Sequence, residues 1–130
     1  MMVDAISTAL SGLNAASRRV EASASNIANS TSTIDLNNET ATPALTTTQS
    51  AQENGGVRSQ IIPRDPAIVE SFAPNSPFAN EQGFVGAPNV NLAEEAVNLR
   101  LADIAYRANI ATLQTTSEIN EALLDIFDDD

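Results

Sequence analysis

VDAISTALSGLNAASRRVEASASNIAN, residues 3–29, carries apolar or small side chains at Val3, Ile6, Leu10, Leu13, Ser17, Val20, Ala24 and Ile27. The steps alternate between three and four, the spacing of a heptad seam along one face of an α-helix. At 1.5 Å per residue this predicts a rod of roughly 35 to 40 Å. Arg18, Arg19 and Glu21 sit beside the seam. Gly12 and the many Ser and Ala residues weaken it, since Gly costs about 1 kcal/mol against Ala within a helix. A helix this marginal draws its stability from packing, so it needs a partner surface.

A second periodic stretch, NVNLAEEAVNLRLADIAYRANIATLQ at residues 89–114, opens with Asn91 followed by Glu94, a capping-box-like start. Glu94 and Glu95 also suit the positive end of a helix. One apolar stripe runs through Val97, Leu101, Ile104, Ala108 and Ala111, and another through Leu99, Tyr106, Ile110 and Leu113. A displacement of two residues is about 200° around a helix, so the stripes lie on nearly opposite sides. One packing partner covers one stripe, and the other is left for a second partner. Beyond Thr115-Thr116-Ser117 the pattern resumes at Ile119, Leu123, Leu124, Ile126 and Phe127 and stops at Asp128-Asp129-Asp130. Three acidic residues oppose the helix dipole there, which predicts a frayed last turn and a solvated tail.

Between these helices the sequence changes character. Residues 30–56 are rich in Thr, Asn and Ser without a sustained period, which predicts loop or disorder in the free chain. Two islands, VRSQII (57–62) after Asn54-Gly55-Gly56 and GFV (83–85), are possible strands. Pro63, Pro66, Pro74, Pro77 and Pro88 keep the rest extended or turning. The expectation for the middle is at best one small β-hairpin.

Composition narrows the function. Apolar residues make up 42% of the 130, but aromatics only 4%, with no Trp. The chain must bury surface along helix stripes or against other molecules rather than around one dense centre. A net charge of −11, with six scattered Arg residues as the only cations, argues against a nucleic-acid partner and against direct binding to anionic lipid. Without Cys or His the chain has no thiolate or imidazole metal ligands and lacks the usual general base, so no cofactor or metal is expected. Glu94-Glu95 and Glu118-Glu121 are the candidate acid/base pairs. Adjacent helical residues diverge by about 100°, and nothing nucleophilic accompanies the second pair. These read as solvated faces, and the chain is not expected to be an enzyme. The N-terminus has no basic flank and no unbroken apolar run, so it does not read as a cleaved secretory leader.

The phrase Ser25-Asn26-Ile27-Ala28-Asn29 at the end of the first helix resembles the N-terminal signature of the flagellar axial proteins, the rod, hook and hook-associated family. The C-terminal stretch is similar to that family's closing segment, with Asn89-Val90-Asn91, Glu94-Glu95 and Tyr106-Arg107-Ala108-Asn109 in register. The two signatures cover about half the chain, its two ends. No large domain separates them, as in the short proximal-rod members. The resemblance implies a structural subunit of the bacterial flagellar basal-body rod. Its helices would pair within the subunit and pack beside other rod and basal-body proteins and copies of itself, transmitting torque. It also implies export by the flagellar type III apparatus without signal cleavage, and a place in the periplasm-spanning rod.

The expected architecture is therefore mainly α. An N-terminal heptad helix (1–29) and a C-terminal helix (89–127) pair as an antiparallel coiled-coil-like hairpin. They are joined by an irregular segment (30–88) and followed by an acidic tail (128–130). The expected assembly interface comprises Ile6, Leu10, Leu13, Val20, Ser25, Asn26, Ile27 and Asn29 on the first helix. On the second it comprises Val97, Leu101, Ile104, Tyr106, Asn109 and Ile110. Asn26 and Asn29 are expected to satisfy carbonyls where the chain turns outward. The competing reading is a soluble helical adaptor that binds one partner helix, or a divergent relative of the rod proteins.

Overall fold

The computed structural model describes residues 2–37 and 42–128; Asp129 and Asp130 of the acidic tail lie outside the described residues. Two long helices flank two antiparallel hairpins along the chain. In chain order the elements are α1 (Met2–Asn29), β1 (Leu45–Ala51), β2 (Val57–Pro63), β3 (Ile68–Phe72), β4 (Phe84–Pro88) and α2 (Leu92–Asp128). Asn91 caps α2, its Oδ1 accepting from the Ala93 and Glu94 amides at 3.0 and 3.3 Å. The helix runs unbroken through Thr115-Thr116-Ser117. Thr112 and Thr116 donate their hydroxyls to the carbonyls four residues back and do not interrupt the ladder.

α1 and α2 lie against each other, and the contact is made of small residues. Ala9, Ala16, Ser23 and Asn26 on α1 and Glu95, Ala102 and Thr116 on α2 are buried. With Gly12 and Arg19 the α1 positions form their own three-and-four series, one residue behind the series of large side chains. One residue is about 100° of helix rotation. The heptad seam of Leu10, Val20 and Ile27 is thus turned outward and exposed, while an alanine, glycine and serine seam faces the second helix. The sequence reading names the bulkier stripe for an assembly interface and does not single out the small-residue series. Small side chains win the interior because they allow the helix backbones to approach.

The middle is more ordered than expected. Two sheets replace the single anticipated hairpin, and β1 forms in the Thr-rich tract that reads as loop. Thr is β-branched and favours the extended backbone, even where polar residues on both faces hide the alternation. β1 and β2 pair from Leu45 opposite Pro63 to Ala51 opposite Val57. Opposed residues share a face, so Leu45, Thr47, Pro63, Ile61 and Val57 lie on one side and Thr46, Thr48, Ile62 and Arg58 on the other. The five-residue turn is closed by Gly55 N donating to Gln52 O at 3.0 Å and Gln52 N to Gly56 O at 3.1 Å.

This hairpin is laid along α1 and pinned at both ends. At its tip the Val57 amide donates to Ser11 Oγ at 3.0 Å. At its base Leu45 meets Asn26. From Ser11 to Asn26 the helix rises roughly 22 Å, and a seven-residue strand spans roughly 20 Å, so the lengths match.

β3 and β4 pair from Ile68 opposite Pro88 to Phe72 opposite Phe84, and Ile34 adds a single bridge to Gly86 on the other edge of β4. β3 escaped the sequence reading because Pro66 and Pro74 bracket it. Asn80 organises the long connection, its Oδ1 accepting from the Gln82 and Phe84 amides. Phe72 and Phe84 meet edge to face at 5.5 Å.

Two substitutions test the β1–β2 attachment. Gly56 has φ +85°, and a Cβ there would stand 2.4 Å from Ser11 Oγ. Gly56→Ala is expected to cost about 2 kcal/mol, through backbone strain and loss of the Val57–Ser11 bond. Ser59 Oγ is buried with no hydrogen-bond partner among the described residues. Ser59→Ala is expected to be neutral or stabilising by up to about 1 kcal/mol. Urea denaturation of both variants checks the contrast.

Candidate assembly interface

The last turn of α1 ends in a polar corner that joins distant parts of the chain. Asn26 is 3% exposed. Its Oδ1 accepts from the Leu45 amide at 2.7 Å and its Nδ2 donates to the Leu45 carbonyl at 2.8 Å. The side-chain amide thus imitates a strand neighbour for the first residue of β1. The second Nδ2 hydrogen goes to Oε1 of Glu95 at 2.9 Å. Glu95 is 1% exposed, and the same oxygen accepts from Arg64 Nη2 at 3.0 Å. Arg64 also donates through Nη1 to the Asn89 carbonyl and lies 3.3 Å from Glu94. A carboxylate this deeply buried is tolerable only when paired and hydrogen-bonded, and here it is both.

The polar residues that follow serve the helix end itself. Asn29 Nδ2 donates to Ser25 O at 2.8 Å, Ser30 Oγ to Ile27 O at 2.8 Å and Ser32 Oγ to Asn29 O at 2.8 Å. These side chains add a second donor to the last turn, where Ile27 O and Asn29 O also accept from the Ser30 and Ser32 amides at 3.3 and 3.0 Å.

The residues expected at an interface divide into three groups. Leu10, Val20 and Ile27 on α1 and Val97, Leu101, Ile104 and Tyr106 on α2 are exposed. Ile6, Leu13, Ser25, Asn29, Asn109 and Ile110 are half-buried. Asn26 is inside the chain, where all its bonds are internal, and so the structure removes it from the outer face. Asn109 also works within the subunit: its Nδ2 donates to Ala105 O at 2.8 Å, and its amide covers Gly12, where a Cβ would meet Oδ1 at 2.4 Å. Sequence reasoning missed Glu95 and Arg64 as a pair. Nothing in their spacing, 31 residues apart, signals a contact that exists only once β2 has folded back.

Among the described residues no group of three His, Cys, Asp or Glu side chains is placed to hold a metal ion. No helix of the described residues is long and apolar enough to cross a membrane. The geometry offers a braced helix pair with apolar side chains on its outside.

Comparison with known proteins agrees with that geometry. A family model described as Flagella basal body rod protein matches residues 6–33, and one described as Flagellar basal body rod FlgEFG protein C-terminal matches residues 81–126. The chain is 38% identical over 114 residues to the flagellar basal-body rod protein FlgC of Yersinia enterocolitica, covering 84% of this chain and 85% of that protein. It belongs to the flagellar basal-body rod protein family. FlgC of Buchnera aphidicola subsp. Acyrthosiphon pisum is 34% identical over 116 residues and that of Salmonella typhimurium 31% over 114, with the same coverage of both chains. The two stretches that match the rod-family models contain Asn26 and Glu95, so both helical arms of the polar corner lie in family-typical sequence.

The corner is open to a direct test. Asn26→Asp keeps the size of the side chain but replaces both donors with a carboxylate facing Glu95. It is expected to lose about 3 to 5 kcal/mol of stability, as a broken buried pair does, whereas Asn26→Ala loses less. Thermal or urea unfolding of the two variants ranks them.

Proposed function

We propose that the chain is a structural subunit of the bacterial flagellar basal-body rod, in its proximal part. It assembles with other rod and basal-body proteins and with copies of itself. The observation that supports this reading is the inversion of the helix pair, with small residues inside and Leu10, Val20, Ile27, Val97, Leu101 and Ile104 exposed outside. Fully burying one such side chain contributes about 1.5 to 3 kcal/mol, so packing beside neighbours supplies the stabilisation that the subunit alone leaves unused. On this reading α1 and α2 act as an antiparallel coiled-coil-like hairpin, the rigid unit through which torque passes. The chain reaches the periplasm-spanning rod through the flagellar type III export apparatus without signal cleavage.

The test is immunodetection of a tagged copy in detergent-purified basal bodies, with a strain lacking the export gate as control. The rod reading expects the protein in basal bodies and its loss without export. A folded cytoplasmic pool with none in basal bodies would favour the helical adaptor. Leu101→Asp and Ile104→Asp sharpen the result, because these side chains are 47% and 53% exposed in the subunit. Each variant is expected to keep wild-type helicity by circular dichroism and to abolish swimming, since the charge becomes buried and unpaired only on assembly.

A further inference from the structure

β1 has two edges, and only one is paired with a strand. Ala44 O accepts from the Arg64 amide at 2.7 Å, and Gln52 N donates to Gly56 O at 3.1 Å. Ladder bonds alternate along an antiparallel pair, so between these points Thr46, Thr48 and Ser50 exchange them with Ile62, Gln60 and Arg58. Leu45, Thr47 and Gln49 therefore turn their amides and carbonyls to the other edge. Pro63 opposite Leu45, which has no N–H to give, agrees with this. Asn26 takes both backbone groups of Leu45. Those of Thr47 and Gln49 have no partner among the described residues. Proteins commonly blunt an open edge with charge, proline or a bulge, and β1, LTTTQSA, has neither charge nor proline.

That edge looks into a groove. β1 and α2 each pack on α1 and hardly on one another. Two adjoining cavities of about 210 and 220 Å³ lie between them, with Thr47 on the wall of the first and Gln49 on the wall of the second. Half-buried Arg19 lines both, and it makes no ion pair or hydrogen bond among the described residues. The carboxylates of the first cavity, Glu94 and Glu95, are engaged by Arg64. Past Arg19 the second cavity is lined by Ala15 and Ala105, without bulk. An extended chain is the partner that fits these groups. Thr47 and Gln49 are roughly 7 Å apart along β1, the repeat at which a strand presents its own amides and carbonyls. Arg19 and Ala15 are roughly 6 Å apart along α1, so alternate side chains of such a strand fall one on each. A partner helix, whose backbone groups bond within itself, has nothing to offer Thr47 and Gln49.

We propose that the open edge of β1 is a strand-addition site: an extended segment of a partner protein pairs with Thr47 and Gln49, sets a carboxylate against Arg19 and lays an apolar side chain against Ala15 and Ala105. Backbone bonds give the mode of binding, and the two side chains give its selectivity. Arg19 gains the counter-ion it lacks, at a position already partly withdrawn from water. The site goes beyond the rod reading, which concerns the apolar exterior of the helices, and it is tested on the isolated chain.

The experiment is amide NMR of the purified full chain titrated with the capped peptide Thr-Val-Thr-Glu-Thr-Val-Thr, whose Val and Glu side chains share one face. Saturable shifts at Thr47, Gln49 and Arg19 are expected, with a Kd of about 1 mM or tighter. Gln49→Pro removes an outward amide and no β1–β2 bond, so it is expected to weaken binding about tenfold or more while circular dichroism stays as in wild type. The peptide N-methylated on one set of alternate residues should fail to bind, and the peptide methylated on the other set should bind as before. These two probes leave the protein untouched, so they decide the question even where Gln49→Pro disturbs the hairpin. Replacing the peptide's Glu by Lys is expected to cost about tenfold with wild type and nothing with Arg19→Gln. Absence of saturable shifts at Thr47 and Gln49 overturns the proposal. So does binding that tolerates Gln49→Pro, or that responds alike to both methylations. A preference for Glu that survives Arg19→Gln overturns the pairing assigned to Arg19.

Discussion

Glu95 is a carboxylate almost without exposed surface in a chain of net charge −11, and the two groups that make this tolerable come from opposite directions. Asn26 reaches it from the end of α1 and Arg64 from the end of β2, both donating to Oε1. Asn26 also holds the first residue of β1, and Arg64 holds the carbonyl of Asn89, two residues before the α2 cap. Five segments therefore meet at one anion. Without Arg64 the buried charge loses its counter-ion, and without Asn26 it loses a hydrogen bond, so the cost falls on the segments that meet there. The hairpin must fold back along α1 for the corner to close, which makes the topology a consequence of satisfying one side chain.

The helix pair beside this corner inverts the usual distribution of bulk. Burying Ala, Gly and Ser returns little hydrophobic free energy per residue, since the gain scales with apolar area. Leu10, Val20, Ile27, Val97, Leu101 and Ile104, which would return more, are exposed. A subunit built this way leaves much apolar surface unburied, and packing beside other basal-body proteins would return the free energy that the small-residue seam does not.

Both helices were legible in the sequence because periodicity survives any choice of partner. Which face meets α2 was not, since the three-and-four rhythm occurs twice on α1, one residue apart, and the small-residue copy carries no hydrophobic signal. Helical spacing of bulky side chains names Leu10, Leu101 and Ile104 for an assembly interface, and all three are exposed in the subunit. Asn26 was recognised from its phrase, yet its role lies in a bond to Leu45, which lay in a tract read as loop. β1 was hidden because Thr46, Thr47 and Thr48 carry strand propensity without a polar–apolar alternation. Glu95 was placed as a helix-start charge, which it is, but its burial depends on a residue 31 positions away.

A seam of small residues has a further consequence. Alanine surfaces offer few knobs and shallow holes, so they hold two helices close without strongly preferring one register over the next. One close steric fit and a few polar contacts supply that preference here. Asn109 over Gly12 fixes the middle of the pair and Asn26 on Glu95 fixes its end. The Ser11–Val57 and Asn26–Leu45 bonds then pin the hairpin to α1 at points roughly 22 Å apart. Sliding α1 by one turn would break all four contacts together, leaving buried donors and a buried anion without partners. Resistance to sliding along the helix axis comes from the fit of Asn109 over Gly12 and these three directional contacts, while the apolar exterior stays exposed.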